Sequence, residues 1–206
     1  MPDPAAGRDA YARIGFELDE RGVAWNDGDH LELVRGAEGL QSVALASDDP
    51  AADAARGNAD FLSVVEPTSA KAKLHPNGVQ RIERVYIVVT DLALAVEKYS
   101  RALGMTAKME RGTVINADMG IFQIGPTGLG LAQPCAPGVA ADALRSRGPG
   151  PFQILYRTRS MDAAANWMAG HGVPPPVRGV RNTGEQAMLV KPEHACGVYI
   201  GFVGPA

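Results

Sequence analysis

Aromatic side chains are scarce in this chain, at 6% of residues against 46% hydrophobic residues in all, so a core must be built from Val, Leu, Ile, Met and Ala. Cysteine is scarcer still. Cys135 and Cys196 form no Cys-x-x-Cys pair, which excludes a zinc ribbon and a disulfide framework, and both read as reduced thiols. No apolar run approaches the roughly 20 residues that a membrane-spanning helix needs. Met1-Pro2-Asp3-Pro4 has no basic stretch followed by an apolar one, so a cytoplasmic location is expected. Basic clusters are missing too: 20 Lys and Arg face 23 Asp and Glu, the net charge is -3 and the pI is near 5.8. Neither nucleic acid nor a membrane surface is an expected partner. The four histidines make no His-x-His or His-x-x-x-His pair.

What is present is a repeated pattern of strand, capped helix, glycine and strand, in a chain of 206 residues that can bury a sizeable core. Residues 84–90 are β-branched and apolar, Asp91 can cap a helix, and Leu92, Val96, Tyr99 and Leu103 form one helical stripe that Gly104 ends. A second copy runs from Gln153-Ile154-Leu155-Tyr156 through the cap Ser160 and the helical face Met161, Ala164, Ala165 and Met168 to Gly170 and Gly172. Short strands follow each helix: Met105–Met109, Thr113–Asn116, Gly120–Ile124 and Thr127–Gln133 in one, Gly184–Val190 and Gly197–Val203 in the other. Each unit reads β-α-β-β-β. Residues 3–34 and 39–67 look like two abbreviated copies, with helices starting at Asp3-Pro4 and Asp49-Pro50. The expected organisation is an abbreviated module over 1–67, a linker over 68–79 containing His75-Pro76-Asn77-Gly78, and a complete module over 80–206 made of units 80–134 and 151–204.

The segment Ile82-Glu83-Arg84-Val85-Tyr86-Ile87-Val88-Val89-Thr90-Asp91-Leu92, with Tyr99 and Leu103-Gly104 after it, resembles the opening of a vicinal-oxygen-chelate module. Residues 147–154 and 191–202 resemble the corresponding parts of methylmalonyl-CoA epimerase-like members of that superfamily, which includes glyoxalases, bleomycin-resistance proteins and extradiol dioxygenases. The resemblance implies an α/β (α+β) fold in which paired βαβββ modules form a curved, cup-shaped mixed sheet with outer helices. It also implies a divalent metal inside the cup, held by one residue from each first strand and one from each last strand. Carried over position by position, these fall at Arg84, Gln153, Gly130 and Gly201. Arginine cannot ligate a metal, glycine has no side chain, and one glutamine makes a poor site, so no metal cofactor is expected. In the abbreviated module Glu32 matches a last-strand carboxylate. His30 shares its side of the strand, but Gln41 stands at the neighbouring first-strand position and the other first strand is missing.

The same resemblance turns the first-strand ligand positions inward, so Arg84 and Tyr86, with Gln153 and Leu155, face the cup. An inward arginine needs an anionic or carbonyl partner, supplied either by an internal salt bridge or by a ligand. The ligand-binding residues expected are Arg84, Tyr86, Gln153, Leu155 and Tyr199, with Gly130 and Gly201 leaving room, for an aromatic or acyl compound carrying one acidic group. Other signals read as structural. Gly125-Pro126-Thr127-Gly128-Leu129-Gly130 runs into a strand, so it is a turn and not a phosphate loop. His171 suits a helix end; His75 and His194 lack a second ligand, and Glu185 and Glu193 default to the surface. Three functions stay open: a metal-free small-molecule binder, an isomerase, lyase or dioxygenase using atypical ligands or Arg84, Tyr86 or Tyr156, and a degenerate subunit pairing with a complete homologue. A homodimer is expected, since the unit at the N-terminus lacks its first strand.

Overall fold

The computed structural model describes residues 3–68, 71–181 and 183–205. In chain order the elements are α1 (Pro4–Ile14), β1 (Val23–Trp25), β2 (His30–Glu32), β3 (Val43–Ala46), α2 (Pro50–Ala54), β4 (Leu62–Val65), β5 (Val79–Val88), α3 (Leu92–Leu103), β6 (Lys108–Gly112), β7 (Ala117–Ile124), β8 (Thr127–Pro134), α4 (Val139–Arg147), β9 (Gly150–Thr158), α5 (Met161–Gly170), β10 (Val177–Val180), β11 (Gln186–Val190) and β12 (Tyr199–Val203). Four helices start where the sequence puts a cap: Asp3, Asp49, Asp91 and Ser160 accept N–H bonds from Ala5, Ala52, Leu94 and Ala163 at 2.9–3.1 Å. Gly15 and Gly104 end α1 and α3 in the left-handed conformation. Among the described residues no helix is long and apolar enough to cross a membrane.

Two βαβββ repeats follow the expected plan, β5-α3-β6-β7-β8 and β9-α5-β10-β11-β12. Within each, the first strand pairs in parallel with the fourth, and the fourth, third and second pair antiparallel in that order. The whole mixed sheet has the order β10-β11-β12-β9-β5-β8-β7-β6. Registers agree as well: Arg84 and Tyr86 stand opposite Gly128 and Gly130, as Gln153 and Leu155 stand opposite Tyr199 and Gly201.

Details differ from the sequence expectation in three places. Residues 113–116 form a turn and not a strand, because Asn116 adopts φ 52° and its side-chain amide donates to the Pro137 carbonyl at 2.7 Å, reversing the chain between β6 and β7. Strand β10 had no clear signal, since Val177 and Val180 are both exposed and break the alternation. Helix α4 falls between the two expected units, where the sequence pattern assigns no element. Its start at Gly138 has no side-chain cap, and only Ala140 and Ala143 are buried.

By compactness the chain divides into two units, one of Met1–Gly39, Ala70–Glu83 and Gln153–Ala206, the other of Leu40–Ser69 and Arg84–Phe152. In the first unit the ring of Phe16 lies 5.0 Å from that of Tyr156, 5.8 Å from Tyr11 and 6.5 Å from Phe202. This cluster joins α1 to β9 and β12. The described part of the segment read as linker is tied in here: Asn77, fully buried, donates to the Ile14 carbonyl at 3.2 Å and accepts from Val79 N at 3.1 Å, while its own carbonyl accepts from Thr158 Oγ1 at 2.8 Å. Its polar residues satisfy backbone groups, which a hydrophobicity pattern does not register. In the second unit β3 and β4 pair in parallel around α2, and Tyr99 of α3 donates its hydroxyl to the Asp60 carbonyl.

His75 makes the first unit acid-sensitive. It is buried beside Phe16, and its Nδ1 accepts from Glu17 N at 3.0 Å. Burial holds its pKa below 6.5, so the unfolded chain takes up the proton first and stability is complete above pH 6.5 but lost as pH falls from there towards the folded value. Asp29 acts in the opposite sense: burial raises its pKa above 3.8, so its contribution is present below 3.8 and fades as pH rises through the folded value. Thermal melts of the wild type should therefore shift downward on acidification below pH 6.5, and His75→Gln should flatten that segment of the profile. An unchanged slope in the variant would remove His75 as the cause.

Candidate functional site

Each repeat has a side that its helix covers and a side that faces away from that helix. In the second unit Phe122 stacks on Tyr99 of α3 and Gly120 leaves room for Val96, so this side of β7 meets the helix. Residues on the other side are Ile121 of β7, Gly128 and Gly130 of β8, and Arg84 and Tyr86 of β5. Strand alternation thus carries Arg84 and Tyr86 away from α3, as the sequence implied.

The two glycines of β8 do not leave an open space. A Cβ on Gly128 would lie 2.9 Å from Arg84 Nε, and one on Gly130 would lie 2.8 Å from the Tyr86 ring. The arginine stem and the tyrosine ring fill the places that side chains there would take. The same holds in the first unit, where a Cβ on Gly201 would lie 2.7 Å from Leu155 Cδ1 and 3.1 Å from Gln153 Nε2. The expectation that Gly130 and Gly201 leave room for a ligand is corrected: their first-strand neighbours use that room.

Arg84 Nη1 donates to Glu110 Oε1 at 2.9 Å and sits 3.4 Å from the Tyr86 hydroxyl, with its Cζ 5.7 Å from the Tyr86 ring centroid. Burial works against its charge, but Tyr86 and Glu110 together outweigh that, and the guanidinium pKa stands above its ordinary value. Arg84 Nε is buried without a hydrogen-bond partner. Of the two partners that an inward arginine might find, the internal salt bridge is formed. Glu110 itself escaped the sequence reading, because nothing in the pattern of β6 distinguishes it from its exposed neighbours Met109 and Arg111.

In the first unit Gln153 and Leu155 are buried and Tyr199 is half-buried, and Gln153 Oε1 also lacks a partner. Next on the same strand, Arg157 binds both oxygens of Glu83 at 2.9 and 3.2 Å and also donates to Glu185. Glu185 is held again by Arg181 at 2.8 Å, and Glu83 by Arg81 at 2.8 Å. Glu185 is thus a structural anion between two guanidinium groups rather than a solvated surface carboxylate. Tyr156 lies on the opposite side of β9, fully buried against Phe16, and burial pushes its pKa well above 10. This removes it from the group of candidate reacting residues around Arg84 and Tyr86.

The remaining candidates are dispersed. His30 and Glu32 are exposed on β2 with Leu31 buried between them, and the His30 ring lies 4.5 Å from that of Trp25, tilted by 38°. His171 contacts the Trp167 carbonyl at 2.8 Å at the end of α5, and Glu193 and Cys135 are exposed. Among the described residues no group of three or more His, Cys, Asp or Glu could hold a metal ion. The four positions that would carry ligands in a vicinal-oxygen-chelate site supply one amide oxygen, one guanidinium already paired to Glu110 and two glycines, a donor set that does not fit a divalent cation.

A sequence profile described as Glyoxalase/Bleomycin resistance protein/Dioxygenase superfamily matches residues 83–189, more than half the chain. Among solved structures, methylmalonyl-CoA epimerase from Mycobacterium tuberculosis is 27% identical with a TM-score of 0.56, over 63% of this chain and 90% of that one. Methylmalonyl-CoA epimerase from Streptomyces coelicolor, in complex with 2-nitronate-propionyl-CoA, shares the fold at 24% identity and a TM-score of 0.54, over 62% and 96%. A variant of 4-hydroxymandelate synthase from Streptomyces coelicolor shares it at 12% identity and a TM-score of 0.64, over 82% and 70%. No curated protein matches the chain.

The packing at the two glycines predicts unequal tolerance. Gly130→Ala meets the rigid Tyr86 ring at 2.8 Å, with Ile121 Cδ1 at 3.1 Å beside it, and should cost about 1–3 kcal/mol, whereas Gly201→Ala meets the end of a rotatable leucine and should cost less. Chemical denaturation of the two variants measures the difference; equal losses would mean that Tyr86 moves as freely as Leu155.

Proposed function

Because the chain belongs to the Glyoxalase/Bleomycin resistance protein/Dioxygenase superfamily, we propose that it binds a small organic molecule on the helix-free side of its strands, and does so without a divalent metal. The observation that carries this reading is the donor set: Arg84, Gln153, Gly130 and Gly201 stand where metal ligands would. A fixed guanidinium there repels a second cation, and glycine offers no donor atom. Arg84 and Tyr86 are proposed as ligand contacts in the second unit, and Gln153, Leu155 and Tyr199 as ligand contacts of the first unit taken by itself; each set joins apolar or aromatic surface to a polar group. In the second unit Arg84 anchors an acidic group. An aromatic or acyl compound with one acidic group fits this set.

The 27% identity to methylmalonyl-CoA epimerase favours a second reading, an isomerase, lyase or dioxygenase working through atypical metal ligands or through Arg84 or Tyr86 without metal. Metal analysis of protein purified without added metal or chelator separates the two, because stoichiometric, chelator-removable metal supports the enzyme. Deuterium uptake at the α-carbon of an acyl thioester in heavy water would support an isomerase whether or not metal is present.

We also propose a homodimer, on the ground that the edge strands β6 and β10 expose Met109, Val177 and Val180. Light scattering at micromolar concentration should give twice the chain mass of 21.6 kDa; the chain mass itself would refute it.

The ligand reading is tested by thermal shift. A small acidic binder at a hundredfold excess over its dissociation constant should stabilise the wild type by roughly 2.7 kcal/mol, and Arg84→Ala should lose that gain. Equal stabilisation of both proteins would make Arg84 a purely structural residue.

A further inference from the structure

We propose that Glu110 sets the charge class of the ligand, admitting monocarboxylates to Arg84 and turning away molecules with two negative charges. This rests on the reading that Arg84 anchors an acidic ligand. Glu110 is not part of the repeated scaffold. Through the register Glu110–Met119–Ala132 in one repeat and Gly179–Ala187–Val203 in the other, its counterpart is Gly179, which has no side chain. The ion pair is therefore specific to the half that contains Arg84.

Its geometry leaves Arg84 incompletely used. The hydrogen bonds of the guanidinium to Tyr86 and Glu110 both leave from Nη1, and Glu110 engages it through one oxygen rather than as a two-point fork. Arg84 Nε remains without a partner. A carboxylate that binds the same guanidinium shares one positive charge with Glu110 and lies within a few ångströms of it. One negative charge is tolerated because Glu110 engages only Nη1, which leaves Nη2 to donate to the ligand, whereas Nε stays packed over Gly128. A second gains no buried cation: Lys108, the other cation near Glu110, is 3.9 Å from its Oε2 and 82% exposed, so solvent screens it. The arrangement favours monoanions by repulsion as much as by attraction.

Benzoate and phthalate make a matched pair of probes, alike in ring and different by one charge, titrated by NMR at about pH 8, where their carboxyl groups are ionised. The wild type should respond to benzoate and bind phthalate at least tenfold more weakly, as expected when like charges are juxtaposed. Glu110→Gln should tighten phthalate on the order of a hundredfold and benzoate only about tenfold, since like-charge repulsion of several kcal/mol is removed in proportion to ligand charge. Glu110→Asp keeps the charge and should keep the discrimination, which separates charge from packing; Arg84→Gln should abolish both responses. If the wild type binds both probes equally, or Glu110→Gln leaves their ratio unchanged, the role of Glu110 is overturned while acid binding at Arg84 stands. If neither probe binds any of these proteins, the acid-anchor reading fails and the discrimination fails with it.

Discussion

Close pairing of a large side chain with a glycine on the neighbouring parallel strand is the constraint on which this architecture turns. Parallel strands lie about 4.8 Å apart, and residues directly opposite compete for the same side of the sheet. Tyr86 lies across Gly130 and Leu155 across Gly201, at equivalent registers of the two repeats. Placing bulk on the first strand and none on the fourth fixes which residues fill the side that faces away from the helices. The same arrangement holds the stem of Arg84 against Gly128, so the guanidinium emerges at a defined place where Glu110 meets it.

Charge is distributed unequally over this common frame. In the half with Arg84 that residue pairs with Glu110, and the two have side-chain exposures of 14% and 27%, low enough for the pair to interact without full solvent screening. The half with Gln153 keeps a neutral amide at the equivalent position and puts its charges farther along β9, where Arg157 is gripped by Glu83 and Glu185 and these in turn by Arg81 and Arg181. Three guanidinium groups and two carboxylates satisfy one another there. Such a network fixes strand ends, and it uses hydrogen-bonding capacity that the Arg84 pair leaves unused.

The fold was legible because its signals are local. Asp91 before Leu92, Ser160 before Met161 and Gly104 after Leu103 mark helix ends by chemistry that neighbouring residues complete. The positions of Arg84 and Tyr86 could also be read, since strand alternation fixes a side once the strand is recognised. The partners were not legible. Glu110 reaches Arg84 from 26 residues away, and Asn77 reaches Ile14 across 63, through contacts that no periodicity encodes. Glycine was misread for a related reason. A missing side chain looks like empty space in a sequence, but in a close-packed interior the neighbour occupies it.

One feature of the chain path bears on how the protein is made. The unit containing Phe16 is assembled from three separate stretches, residues 1–39, 70–83 and 153–206, whereas the other is assembled from 40–69 and 84–152. During synthesis the second set is complete once Phe152 has emerged, and its pairings of β5 with β8 and of β6 with β7 can form. Helix α1 and Phe16 are made before that set but must wait for Tyr156 and Phe202, more than a hundred residues later, before their apolar faces can be covered. Contacts of such long separation form slowly, and an apolar surface left uncovered meanwhile invites association. Of the two units, the one whose first stretch precedes the other's is therefore the later to close.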